Sequence, residues 1–294
     1  NDDFRIVYID NKSLFIDWSD KEKSKIWEDI YKYVWNKWGW KYLKAPDIFF
    51  EILNKSIWKL IKLENITKKI LTWVKDSWYN KYIKELTKEY EDEWIKILKN
   101  VKKHFNIEIN DFDSYIPYEF KEIINKNKNK QANILWTAMK WERYITFKTN
   151  SKVLFTWNFI WIYVEKNINE INLLLNTTIT HLFWEIYWRQ MFWEGSICLW
   201  KSDLLKINFI FNSNILEKLS LFSWINRKIK SIFEELWFDK TKNIRGQEPN
   251  PLSDRKELDD IIFNEIWLSE EERKEVYWSL GELVKWRLDK AKSK

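Results

Sequence analysis

The chain has 294 residues, 50 Lys and Arg against 44 Asp and Glu, a net charge of +6 and 45% apolar residues. That length suits one large or two small domains, and the apolar content supports a real core. One cysteine, Cys198, excludes an internal disulfide framework and fits a reducing cytoplasm, which is the expected location. No secretory signal opens the chain, and no apolar run approaches the roughly 18 residues of a membrane span, so a membrane partner is not expected.

The positive excess is local. Residues 54–103 hold thirteen lysines, no arginine and seven acids, and so carry all of it. A basic segment can track phosphates, although lysines alternating with acids also form ordinary solvated faces.

In chain order, residues 4–16 read as two short strands around Asp10-Asn11-Lys12, and residues 19–36 as helical or loose. Ile48 to Leu53 predicts a short helix after a turn at Ala45-Pro46, and residues 58–70 have no clean period. Residues 81–104 predict a helix, with Ile83, Leu86, Tyr90, Trp94, Ile97, Leu98 and Val101 at helical spacing. Residues 125–130 form a polar loop. Residues 134–164 turn to β, with strands at 144–147 and 153–155 around Thr149-Asn150-Ser151 and a third at 159–164. Residues 171–187 predict an amphipathic helix, residues 188–202 a loop, residues 204–211 an extended segment and residues 215–236 a second long helix. Two helices, at about 256–266 and 270–290, close the chain. No internal repeat is visible.

Twenty-two tryptophans stand against four glycines, whereas soluble domains carry about 7% glycine. The two counts together come close to an ordinary glycine content. Several tryptophans occupy positions that suit glycine. Glu234-Glu235-Leu236-Trp237-Phe238 and Asn264-Glu265-Ile266-Trp267-Leu268 each end a helical pattern, where glycine commonly adopts positive φ. In the second case Ser269 and Glu272 form a capping box for the next helix. Trp141, Trp188 and Trp193 lie in similar turn-like settings, while Trp40 and Trp278 sit at packed positions. Two readings follow: a UGA codon reassigned to glycine, with many Trp standing for Gly, or a truly Trp-rich chain.

Chemistry-bearing constellations are few. His104 and His181 are far apart, and His181 reads as a satisfied structural histidine rather than a metal ligand. Cys198 reads as buried and inert. Asp111-Phe112-Asp113 lacks the rest of a calcium loop, and Glu91-Asp92-Glu93 is a solvated helix face. No phosphate-cradling loop emerges even with every Trp read as Gly.

With glycine restored, several segments resemble the C-terminal half of adenine-specific DNA methyltransferases of restriction–modification systems. They are residues 40–50, Leu175 to Phe183 with Tyr187-Trp188-Arg189 and Trp193-Glu194-Gly195, Ser202 to Ile207, Glu234 to Trp237, and Leu268 to Tyr277. The similarity runs with gaps from about residue 37 to the end, and its specificity lies in the shared order. The family's catalytic motif, Asn or Asp followed by two prolines and an aromatic, is absent, as is its glycine-rich cofactor loop. Asn250-Pro251-Leu252 lacks the second proline and the aromatic, and residues 84–130 match no part of the family.

The resemblance implies a target-recognition region without its catalytic half. The expected fold is α+β, a small mixed sheet with packed long helices and a helical C-terminal region. Residues 1–56 would be a post-catalytic connector, 57–212 the recognition domain and 213–294 the helical region. The implied partners are double-stranded DNA and an upstream methyltransferase domain. No cofactor is expected on this chain, and S-adenosylmethionine would belong to the catalytic half. Lys68, Lys69, Lys75 and Lys81 would meet phosphates; Asn80, Arg143 and Arg189 would reach base edges. The chain begins with Asn rather than Met, which suits a fragment or processed form. Two other readings stay open: a helical scaffold with real tryptophans, and an aromatic-rich binder of single-stranded nucleic acid or carbohydrate.

Overall fold

A computed structural model describes residues 21–22, 32–33, 45–71, 84–85, 95–98, 104–109, 112–117, 132–149, 154–155, 158–187, 189–190, 196–198, 201–205, 207–222, 225 and 227–292. The strands are β1 (Lys21–Glu22), β2 (Lys32–Tyr33), β3 (Leu60–Lys62), β4 (Lys69–Leu71), β5 (Lys84–Glu85), β6 (Ile95–Leu98), β7 (Ser114–Ile116), β8 (Ile134–Thr137), β9 (Met139–Lys140), β10 (Thr146–Lys148), β11 (Leu154–Phe155), β12 (Phe159–Tyr163), β13 (Arg189–Gln190), β14 (Ile197–Cys198) and β15 (Asn208–Ile210). The helices are α1 (Asp47–Ser56), α2 (Ile168–Leu175), α3 (Thr178–Tyr187), α4 (Lys201–Leu204), α5 (Ser213–Leu221), α6 (Ile232–Glu235), α7 (Ser253–Glu265) and α8 (Glu270–Lys292). The fold is α+β, as expected. The predicted strands at 4–16, the loop at 125–130 and the acidic run at 91–93 lie outside the described residues.

The central sheet has the order β10-β8-β12-β4, antiparallel throughout. Strand β8 is buried at all four positions and β12 at four of five, because helices cover this sheet. A second sheet runs β11-β6-β7-β5. Residues 84–85 and 95–98 are strands rather than parts of one helix, since the adjacent buried pair Ile97 and Leu98 suits either period and pairing with β7 and β11 decides it. The strands around Thr149 do not form a hairpin: β10 pairs with β8, whereas β11 lies parallel to β6.

The helix predicted over 171–187 is two helices, broken at Asn176-Thr177. The Asn176 side chain acts as a strand partner for β10, accepting from the Thr146 N–H (2.9 Å) and donating to the Thr146 carbonyl (2.9 Å). Residues 178–186 of α3 are all buried, so this is a central helix and not a half-exposed one. Thr178, Thr180 and Glu185 meet buried partners instead of water. Asp259 of α7 accepts from Thr178 N (2.7 Å) and Thr178 Oγ1 (2.5 Å), satisfying the start of the helix from a distant segment. Helix α8 packs against α3 and α1.

The helix predicted over 215–236 also breaks. Phe222 is extended (φ −70°, ψ 133°), and backbone donors farther on serve other segments: Ile229 N to Phe105 O (2.8 Å) and Ile232 N to Glu142 O (2.7 Å). Ser231 then caps the short α6. The predicted loop 188–202 contains β13 and β14, which join β9 in a small sheet, and residues 21–22 and 32–33 pair as strands.

The two C-terminal helices match the expected bounds closely. The capping box forms: Ser269 N donates to Glu272 Oε2 (2.6 Å) and Glu272 N to Ser269 Oγ (3.3 Å). Trp237 and Trp267 adopt left-handed backbone, with φ of 65° and 53°, and Asn167 has φ 58°. Trp141 does not share this conformation. Trp188 and Trp193 lie outside the described residues, as does Trp40.

Candidate nucleic-acid interface

Strand β4 is an edge of the central sheet, paired among the described residues only with β12. Lys69 opens the strand opposite Tyr163 and is exposed. Lys68, just before it, donates its backbone N–H to Tyr163 O (2.9 Å), which holds the end of the edge in place. Its ammonium forms an ion pair with Glu165, both side chains being about 55% exposed. Their hydrogen bond and mutual attraction raise the Lys68 pKa and lower that of Glu165. Lys166 is exposed beside them. The result is a cationic strand edge facing solvent. Lysines on edge strands also discourage edge-to-edge pairing, so the placement has a structural use besides phosphate contact.

Arg143 precedes β10, on the opposite edge of the sheet. Three strand spacings, roughly 14 Å, separate the two edges. The Arg143 guanidinium lies 4.3 Å from the centre of the half-exposed Phe105 ring, with Lys228 Nζ at 6.0 Å on the same ring. Partial burial lowers the Arg143 pKa. Arg189 stands in β13 opposite Cys198. Lys75, Asn80 and Lys81 lie outside the described residues. The expected contacts are therefore not one cluster: Lys68 and Lys69 share an edge, while Arg143 belongs to another surface.

The described structure contains a second, buried set of charges that sequence reasoning did not single out. Arg287 of α8 donates to Glu185 of α3 (2.9 and 3.3 Å), to Tyr144 Oη (3.1 Å) and to Trp141 O (2.5 Å). Both charged groups are essentially inaccessible. Arg255 of α7 pairs with Glu235 (3.4 Å) and donates to Asn176 O. Arg227 grips Glu235 (2.6 and 2.8 Å) and Asp254 (2.8 Å to each oxygen). Burial pushes the Asp259 carboxyl up to about 6, against the pull of Arg255. These groups fasten the C-terminal helices to α3 and the sheet, which is a positioning role. No spacing in the sequence marked them, because each pair joins residues at least eight positions apart along the chain.

Lys140 is also buried, its Nζ 3.3 Å from the centre of the Trp184 ring and donating to Ile145 O (3.2 Å). Burial, reinforced by Arg143, lowers its pKa well below the usual lysine value. His181 is buried as expected, yet neither ring nitrogen has a hydrogen-bond partner; it stacks on Tyr144, ring centres 5.0 Å apart. Burial, then Arg255 and Lys140, hold its pKa well below 6.5, so the ring is neutral. The expected satisfied histidine is thus a packing histidine. His104 bonds Asp113 (3.1 Å), which also accepts from Ser114 (2.9 Å). Cys198 is buried in β14. Among the described residues no group of His, Cys, Asp or Glu forms a metal site, and no helix is long and apolar enough to cross a membrane.

No protein-family model matches the chain, and no curated protein sequence does. Its fold is similar to a solved structure, the type IIG restriction endonuclease BpuSI, with a TM-score of 0.59 at 11% identity. The likeness covers 83% of this chain and 33% of that one, so this chain spans about a third of the restriction endonuclease.

Proposed function

We propose that the chain is the DNA-binding target-recognition region of an adenine-specific, S-adenosylmethionine-dependent DNA methyltransferase of a restriction–modification system. What supports this most is the fold, shared over 83% of the chain with a restriction endonuclease. The ordered segments that resemble adenine methyltransferases agree with it. In this reading the catalytic half, whose motif the sequence does not contain, flips adenine from the duplex and methylates it with its own bound cofactor. The present chain grips duplex DNA. Lys68 and Lys69 neutralise phosphates from the β4 edge, and Arg143 and Arg189 reach base edges.

Titrating the folded protein with duplex DNA between 50 and 200 mM salt tests the reading. Log affinity should fall linearly with log salt, at roughly 0.9 per phosphate neutralised. Absent or salt-independent binding of folded protein would refute it.

A further inference from the structure

The geometry points to glycine, not tryptophan, at positions 237 and 267 of the protein as its own cells make it, and so to a reassigned codon at those positions. This inference is independent of the proposed DNA binding. The two sites are built alike. At the first helix end, Phe238 N donates to Phe233 O (2.6 Å) and Trp237 N to Glu234 O (3.4 Å). At the second, Leu268 N donates to Phe263 O (3.0 Å) and Trp267 N to Asn264 O (3.3 Å). Each is the paired stop in which one bond spans five residues and the other three, followed by a buried apolar residue, here Phe238 and Leu268. That stop requires the residue in the middle to take left-handed backbone, and both tryptophans do so, at φ 65° and 53°. A glycine enters this region without steric cost, whereas a bulky side chain resists it.

The indoles gain little in return. Trp237 is 65% and Trp267 is 77% exposed. The one described contact that could favour an indole is Lys59 Nζ, 4.8 Å from the Trp267 ring centre. That ammonium is already held by the Glu265 carbonyl (2.5 Å), and an exposed cation–ring contact is weaker than the backbone penalty. Trp278 is different in kind. It lies in regular helix, and its indole N–H donates to Gln247 O (2.7 Å), a bond glycine could not make. The tryptophans therefore divide by environment, and the composition anomaly has a structural explanation at two positions. The same assignment removes both rings from any aromatic binding platform.

Two measurements test this. Peptides spanning residues 237 and 267, taken from protein made in its own cells, should each be lighter than the written sequence by the difference between tryptophan and glycine. In protein made with tryptophan throughout, W237G should raise the folded-to-unfolded ratio about tenfold and W267G a few-fold, the latter losing the Lys59 contact. W278G should lower the ratio. A tryptophan-bearing peptide at either position, or a loss of stability in W237G or W267G, overturns the assignment.

Discussion

Charge is used in two opposite ways in this molecule. At the β4 edge Lys68 and Glu165 meet in water, each about half exposed. Between α3 and α8, Arg287 and Glu185 meet with essentially no access to solvent. The chemistry of the two pairs is similar, but the surroundings reverse their meaning. An exposed pair exchanges partners at little cost, so its lysine is available to a phosphate. A buried pair has lost its hydration and depends on its partner, so it fixes one arrangement of the helices and is closed to ligands.

Breaking the buried pair should have the largest effect. Arg287→Ala removes the guanidinium from the buried Glu185, and should cost about 3–5 kcal/mol in denaturant unfolding. Replacing both partners together with apolar residues should recover most of that loss; an Arg287→Ala variant of unchanged stability would erase the contrast with the edge.

Asp259 sharpens the comparison through pH. Its folded pKa is raised from 3.8 to about 6 because burial disfavours the charge. The folded state thus holds the proton more tightly than the unfolded state. The stability linked to this group is fully present below about pH 4 and is lost as pH rises through 6, a span of about 3 kcal/mol. Asp259→Asn should therefore gain on the parent across that window; parallel stability curves for the two proteins would contradict the raised value.

Smaller still is the capping box at the start of α8. Ser269→Ala should cost about 1 kcal/mol, read as a lower unfolding midpoint with an unchanged denaturant slope. At the bottom of the scale, Lys68→Ala and Lys69→Ala should leave thermal stability unaltered. Under the proposed function each should weaken duplex binding and reduce the salt slope by about one. Lost stability with unchanged DNA affinity would show that the edge lysines are structural after all.

How much was legible from sequence follows the same division. Helices α7 and α8 were readable because the junction between them is written locally, in the Trp267 stop, Ser269 and Glu272. Strand β12 was readable from a short apolar run. The breaks at Asn176 and after Leu221 were not, since they arise where side chains or backbone donors serve distant partners, Thr146 in one case and Phe105 and Glu142 in the other. Residues 95–98 were misread because two neighbouring buried residues carry no period of their own. For the candidate interface, Lys68 and Lys69 were singled out by local charge and the family resemblance, but their separation from Arg143 depends on strand order, which no local pattern encodes. The buried guanidinium pairs were invisible for the same reason.

The left-handed stop at residue 237 also bears on where such a gene can work. If that turn is spelled with a codon that most cells read as termination, synthesis in those cells ends at or before it. The product then lacks Ser253–Glu265 and Glu270–Lys292, and with them Arg287, the ion-pair partner of Glu185, and Arg255, the second guanidinium on Glu235. The buried Glu185 would lose the guanidinium that Arg287 supplies, and α3 would lose the helix packed along it. A single backbone angle would thus confine the working protein to lineages that share its dialect of the code.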